Sequence, residues 1–294
     1  MKLKVLILGY GEMGHALEYL LADKHDVRIW SRSSATILEE EAAASQVILF
    51  CLPVNAHLET IQRIAPCLNE NSMCLTIAKG LDEAGLNAAQ VFANVLKDKQ
   101  RYGVIYGPMI SEEIRLGRYA FADVALSKPH DFDVVKALFQ GGKLICRQAG
   151  DISGCSWSVI LKNVYAIMFG IADELELGDN MRGYLLVTAL AELSAIVKDF
   201  GAVAATPYGY AGLGDLITTA TSAGSHHHEL GRKLAAGQYG DISGEGIHTL
   251  KMVEKFKLID IQTYPLFKLI SDIVTTPATL KTQLERYLSQ LRSW

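Results

Sequence analysis

Cysteine is sparse and unpatterned in this chain. Its five cysteines, at positions 51, 67, 74, 146 and 155, are an odd number with no CxxC pair. That excludes a disulfide framework and a zinc ribbon, and it fits a reducing compartment. Basic residues fall short of acidic ones, 28 Lys and Arg against 32 Asp and Glu, for a net charge of -4. A dominant nucleic-acid surface would need the opposite balance. No apolar run reads as long enough to span a membrane. The opening MKLKVLILGY is briefly apolar, but Gly9, Gly11 and Glu12 stand where a small-residue cleavage site would be. It reads as a strand rather than a signal peptide, and the protein is expected in the cytoplasm. Nothing repeats and nothing is low in complexity.

What is present is ample apolar material. Half of the 294 residues are hydrophobic and 20% are charged, enough for two domains of ordinary size. Residues 3–9, LKVLILG, form a β-branched and leucine run ending in glycine, the pattern of a buried parallel strand. Strand patterns recur at HDVRIW, QVILFCLP, SMCLTIA, GVIYGP, FADVALS and KLICRQ, with helical patterns at 12–22, ATILEEEAAAS and HLETIQRIAPCL. This alternation predicts a doubly wound parallel sheet over residues 1–150. From residue 151 to 294 only helical patterns follow, beginning with 152–178 and 180–201. The expected architecture is an α/β Rossmann-type N-terminal domain and an all-helical C-terminal domain, with a cleft between them for ligands.

The stretch LILGYGEMGHAL places Gly9, Gly11 and Gly14 in GxGxxG spacing between a strand and a helix. That context turns a weak motif into a dinucleotide-binding turn. Gly9 permits the turn, Gly11 admits a pyrophosphate, and Gly14 lets helix and strand pack. The second strand ends in Trp30, Ser31 and Arg32, with no carboxylate to hold a ribose 2′-hydroxyl. Serine and arginine suit a 2′-phosphate, which favours NADP(H) while leaving NAD(H) open.

One helical segment, from Val159 through VILKNVYAIMFGIADE, is apolar nearly all round yet carries Lys162 and Asn163. Such a helix is buried, and lysine is almost never buried without a partner or a task. With IAKG (Lys79), YGPMISEE (Gly107 to Glu113), AGLGDLITTATSAGSHHHELG (Asp215, Thr219) and GEGIHT (Glu245), the order of motifs resembles the NAD(P)-dependent glycerol-3-phosphate dehydrogenases. The resemblance covers nearly the whole chain and is strongest from Leu161 to Leu216, where LKNV, LGDN, the Ala191–Glu192 pair and AGLGDL recur in order. It implies that Lys162 is the catalytic proton donor, with Lys79, Asp215 and Thr219 completing the polar site. It implies substrate contacts from Lys79, Gly107, Asn163, Ser225, His226 and His227. Cofactor contacts would come from Gly9, Gly11, Glu12, Met13, Gly14, Ser31, Arg32, Pro53 and Glu245. It also implies a homodimer acting on a small molecule.

Elementary chemistry agrees with the role of Lys162. Hydride addition to a ketone builds negative charge on oxygen, and a nearby ammonium stabilises that charge and supplies the proton. Taken singly, Asp215 also fits a helix N-cap and Lys79 a solvated loop residue. Three departures from the family stand out. The segment between the second strand and QVILFCLP is short, Met109 replaces the serine of a GPS turn, and His226–His227 replace an Arg–Asn pair that grips phosphate. Histidine is mostly uncharged at neutral pH, so the phosphate grip should be weaker. His226, His227 and His228 do not share a helix face, and no metal site is expected. Reduction of another small ketone or aldehyde, and dinucleotide binding without turnover, remain open. The related β-hydroxyacid dehydrogenases place their lysine as KxxN, whereas position 165 here is tyrosine.

Overall fold

A computed structural model describes residues 2–97, 100–222, 224–240 and 242–291. In these residues seven strands, β1 (Lys4–Leu8), β2 (Asp26–Trp30), β3 (Val47–Phe50), β4 (Met73–Thr76), β5 (Arg101–Tyr106), β6 (Ala120–Leu126) and β7 (Leu144–Ala149), form one sheet in the order β2-β1-β3-β4-β5-β6-β7. Helices α1 (Glu12–Leu21), α2 (Leu38–Ala43), α3 (His57–Ile64), α4 (Ala88–Leu96), α5 (Ser111–Arg115) and α6 (Phe132–Phe139) lie between them. The alternation of side chains along β1 sorts the core. Val5 and Ile7 join one apolar cluster with Leu17 and Leu21 of α1, while Leu6 and Leu8 join another with Ile61 of α3 and Phe92 of α4. Both faces are covered, which is why the strands read as continuous apolar runs.

The sheet is not wholly parallel, which corrects the expectation from sequence. β5 and β6 pair antiparallel, with Tyr106 opposite Asp123, while every other neighbouring pair is parallel. The connection carries only the five-residue α5. At 1.5 Å per residue that helix spans about 8 Å, too little to bring the chain back along a strand of about 20 Å. So β6 starts where β5 ends, and α5 stays at the C-terminal edge of β5. The sequence pattern also passed over α4, α5 and α6. For α4 a signal exists: Asn87 and Gln90 form a capping box, each side chain bonded to the other's backbone N–H.

The second half is built on α7 (Ile152–Glu174), against which pack α8 (Gly178–Asp199), α9 (Asp215–Thr221), α10 (His226–Ala235), α11 (Glu245–Phe256) and α12 (Pro265–Thr275), with α13 (Leu280–Leu291) on α12. By length and a mean hydropathy of 1.4, α7 meets the requirement for crossing a membrane, contrary to expectation, but its apolar window is wholly buried within the protein. It is the axis of the helical core. Asp151 caps its start, accepting from Gly154 N at 2.8 Å.

Two glycines set how close α10 comes to α7. A Cβ at Gly231 would lie 2.0 Å from the carbonyl oxygen of Ile167, and one at Gly170 would lie 1.9 Å from that of His228. The start of α10 is thereby held beside Lys162. Gly231→Ala must push the helices apart and is expected to cost about 1–3 kcal/mol. Differential scanning calorimetry should show a melting temperature lower by at least about 2 °C, and an unchanged value would contradict this packing.

Candidate active site

Lys162, at the end of the third turn of α7, has 4% of its surface exposed. Its Nζ lies 2.9 Å from Asp215 Oδ2 and donates to Thr219 Oγ1. Lys79, just beyond β4, reaches the same carboxylate oxygen at 2.8 Å and the Gly107 carbonyl at 3.4 Å. Thr219 in turn donates to the Asp215 carbonyl at 2.7 Å. One carboxylate thus bridges two ammonium groups, one from each half of the chain. Asp215 opens α9 without capping it, since α9 has no side-chain cap, so its carboxylate serves the lysines instead.

The turn that delivers Asp215 is braced from the sheet. Asp123 on β6 accepts from Ala211 N at 3.1 Å and from Arg147 Nε at 2.8 Å. The Arg147 guanidinium sits 4.5 Å over the Tyr210 ring. Within the turn, a Cβ at Gly212 would meet the Pro207 carbonyl at 2.1 Å, so only glycine fits there.

Burial sets the electrostatics. Desolvation pushes the Lys162 ammonium down to about 8, aided by the charge of Lys79 and opposed by Asp215. For Asp215 desolvation acts upward, but the two lysines win and hold its carboxyl below its usual range. A bare buried carboxylate would behave oppositely; here two cations within 3 Å decide the sign. His227 is pushed down to about 3, first by burial and then by the Lys162 charge, so its ring is neutral at physiological pH. Glu245 at the start of α11 is pushed up by desolvation, against the pull of Lys79 and Lys162. It still lies open to cleft solvent, which moderates that shift.

A cleft of about 630 Å³ brings together Glu12, Lys79, Lys162, Asn163, Asp215, Thr219, Ser225, His226, His227 and Glu245. An adjoining hollow of about 390 Å³ is walled by Met13, Pro53, Lys79, Met109 and Glu245. Met109, in place of the family serine, lies on the wall of both. Gly107 contributes through its carbonyl, and Asn163 donates to Glu245 Oε2 at 3.4 Å. Ser225 spends its hydroxyl capping α10, accepting from His228 N at 3.3 Å. His228 leaves the cleft to pair with Asp173 at 2.7 Å. Among the described residues, no cluster of three metal-ligating side chains occurs. Ser31 and Arg32 stand apart beyond β2 and line neither hollow; the Ser31 backbone N–H is held by Ser34 Oγ at 2.9 Å, and Arg32 is exposed. Pattern reading missed Arg115 and Arg118, which also line the cleft. Their place depends on the antiparallel entry into β6, which leaves no periodic trace in sequence. A larger cavity, about 850 Å³ between α11 and α13, carries neither Lys79 nor Lys162. We place the chemistry in the smaller cleft because the buried, mutually bonded charges are there.

The glycine turn fits a dinucleotide. Gly9 has φ +95° and its Cβ would strike the Cys51 carbonyl at 2.5 Å, while a Cβ at Gly14 would lie 2.3 Å from the Gly9 carbonyl. At Gly11 a Cβ would meet nothing within 4 Å, so the space a diphosphate needs is open above the backbone N–H groups of α1.

A glycine turn at the C-terminal edge of a doubly wound sheet, facing a buried ammonium, defines a nicotinamide-dinucleotide oxidoreductase. Family profiles described as the NAD-dependent glycerol-3-phosphate dehydrogenase N-terminus and C-terminus match residues 33–131 and 151–285. The glycerol-3-phosphate dehydrogenase [NAD(P)+] of Gloeobacter violaceus is 33% identical over 238 residues, covering 80% of this chain and 78% of the relative. That of Synechocystis sp. is 29% identical over 299 residues, covering 97% and 94%. The crystal structure of glycerol-3-phosphate dehydrogenase from Coxiella burnetii superposes with a TM-score of 0.85 at 25% identity, covering 98% of this chain and 99% of that one. The chain belongs to the NAD-dependent glycerol-3-phosphate dehydrogenase family.

Proposed function

We propose that the protein interconverts dihydroxyacetone phosphate and sn-glycerol 3-phosphate, with Lys162 carrying the proton. Residues 1–150 hold NAD or NADP and residues 151–294 most of the substrate. When bound, the dinucleotide would supply or accept the hydride through its nicotinamide. Gly9, Gly11 and Gly14 with the start of α1 hold its diphosphate, Ser31 and Arg32 meet the adenosine ribose, and Met13, Pro53 and Glu245 wall the nicotinamide end.

The observation that carries the proposal is the bonding of Lys162. An ammonium has three donors. One points to Asp215 and one to Thr219, so the third is available to a carbonyl oxygen in the cleft. As C2 accepts the hydride, the oxygen gains charge, takes the Lys162 proton and becomes the alcohol; Lys162 is left neutral. Lys79 stabilises the developing charge, and Asp215 keeps both lysines oriented. Under this proposal the protein works as a homodimer in the cytoplasm.

A specific observation favours a second reading, reduction of an unphosphorylated carbonyl. The wall that should grip phosphate offers His226 and a neutral His227. Five carboxylates and four lysine or arginine cations line the same cleft, leaving no surplus of positive charge for a dianion. The deciding experiment follows absorbance of NADPH or NADH with dihydroxyacetone phosphate and with dihydroxyacetone. Turnover of the phosphorylated ketone supports the first proposal, and turnover of the free ketone alone supports the second. With the phosphate ester as substrate, the double change His226→Arg, His227→Asn is expected to lower KM about tenfold, the worth of one charge-assisted hydrogen bond. An unchanged KM would refute the phosphate argument.

A further inference from the structure

We propose that Arg115 is a cofactor-binding residue whose guanidinium takes the dinucleotide diphosphate, and that Glu12 holds it over the glycine turn until the cofactor arrives. The inference needs the dinucleotide site but not the identity of the ketone.

It starts from a conflict in the glycine turn. Glu12 is the first residue of α1, directly after Gly11. An acid there suits the helix dipole. The same position opposes a diphosphate drawn to the same N–H groups, because two anions then share one helix end. The structure places a cation against that acid. Arg115 Nη2 lies 2.5 Å from Glu12 Oε2, and Ser111 Oγ lies 3.5 Å from the same oxygen. These contacts join residues about a hundred positions apart, and they exist because the short α5 packs on α1 at the sheet's C-terminal edge.

Geometry gives Arg115 more than a neutralising part. The carboxylate takes one of its five donors, and the others remain free in a planar fork that matches phosphate oxygens. Its side chain is 41% exposed and that of Glu12 70%, so the pair is weakly held and open to exchange. Both residues line the cleft beside the open space above Gly11. Arg118, by contrast, is paired to Glu113 of α5 at 2.8 Å.

The test is calorimetric titration of the full-length protein with NADPH, without ketone, at two salt concentrations. Arg115→Ala is expected to raise Kd at least tenfold and to make its salt dependence shallower. Arg115→Lys should fall between, and Glu12→Gln should lower Kd, because it frees the guanidinium and removes a charge that opposes the diphosphate. Circular dichroism should show all three folded, as befits exposed positions. A Kd within threefold of the parent for Arg115→Ala would overturn the proposal. So would an equal loss of affinity in Glu12→Gln, which would mean that the ion pair only braces α1 against α5. Neither outcome depends on turnover, so failure here is separable from failure of the proposed reaction.

Discussion

Lys162→Ala is expected to lower kcat/KM for ketone reduction by about a thousandfold or more. General-acid catalysis contributes roughly 10²–10⁴-fold, and loss of one well-placed donor to a developing oxyanion costs roughly 10²–10³-fold. The two overlap in one ammonium, so they do not multiply. The effect should fall on kcat, because the charge on oxygen exists only on the way to the transition state. NADPH affinity should stay within about threefold, since Lys162 touches Asp215 and Thr219 rather than the glycine turn. The fold should tolerate the change: Asp215 keeps Lys79 at 2.8 Å, so no buried carboxylate is orphaned. Lys162→Arg should not rescue the rate, because guanidinium does not release its proton in this range. Steady-state kinetics with both variants checks this, and a kcat within tenfold of the parent for the alanine variant would remove Lys162 from the mechanism.

Asp215→Asn should be nearly as damaging for a different reason. The carboxylate is the shared partner of Lys79 and Lys162, one of them buried. An amide offers no charge to either. Removing one member of a buried pair typically costs roughly 3–5 kcal/mol, since it strands the other's charge. Lys162 has an escape: it can deprotonate, because burial and Lys79 already press its pKa down while Asp215 holds it up. The variant should therefore lose about a hundredfold or more in kcat/KM at pH 7.5, because the acid is discharged before the substrate arrives. A lower melting temperature should accompany that loss. Lowering the assay pH should recover part of the rate in Asp215→Asn and none in Lys162→Ala. If both variants respond to pH alike, Asp215 acts on something other than Lys162.

Much of this site was legible in the sequence, for identifiable reasons. The glycine turn declares itself because Gly9 and Gly14 answer local steric demands that no other residue meets. Lys162 stood out because a charge on an apolar helix needs a partner, and the partner lies 53 positions away in a motif of its own, DLITT. Other features had no local trace. The antiparallel β6 follows from the length of a connection, and Arg115 enters the cleft only through it. The small-residue crossing of Gly170 and Gly231 is visible as a pair only once α7 and α10 are side by side. Likewise Glu192, known in sequence only as half of an Ala–Glu pair, proves to anchor α12. It accepts from Leu266 N at 2.7 Å and Phe267 N at 2.9 Å. Its burial pushes its carboxyl up, a structural carboxylate rather than a site residue.

The most direct check on the central claim is the pH dependence of kcat/KM for ketone reduction by the unaltered protein between pH 7 and 10, at saturating NADPH. A proton donor with its pKa near 8 is fully charged below that pH and lost above it. The reduction rate should be level up to about pH 8 and then fall roughly tenfold per pH unit, while alcohol oxidation, which needs the neutral amine, should rise through the same pH and level off. A reduction rate that stays flat to pH 10 would contradict a buried Lys162 as the acid.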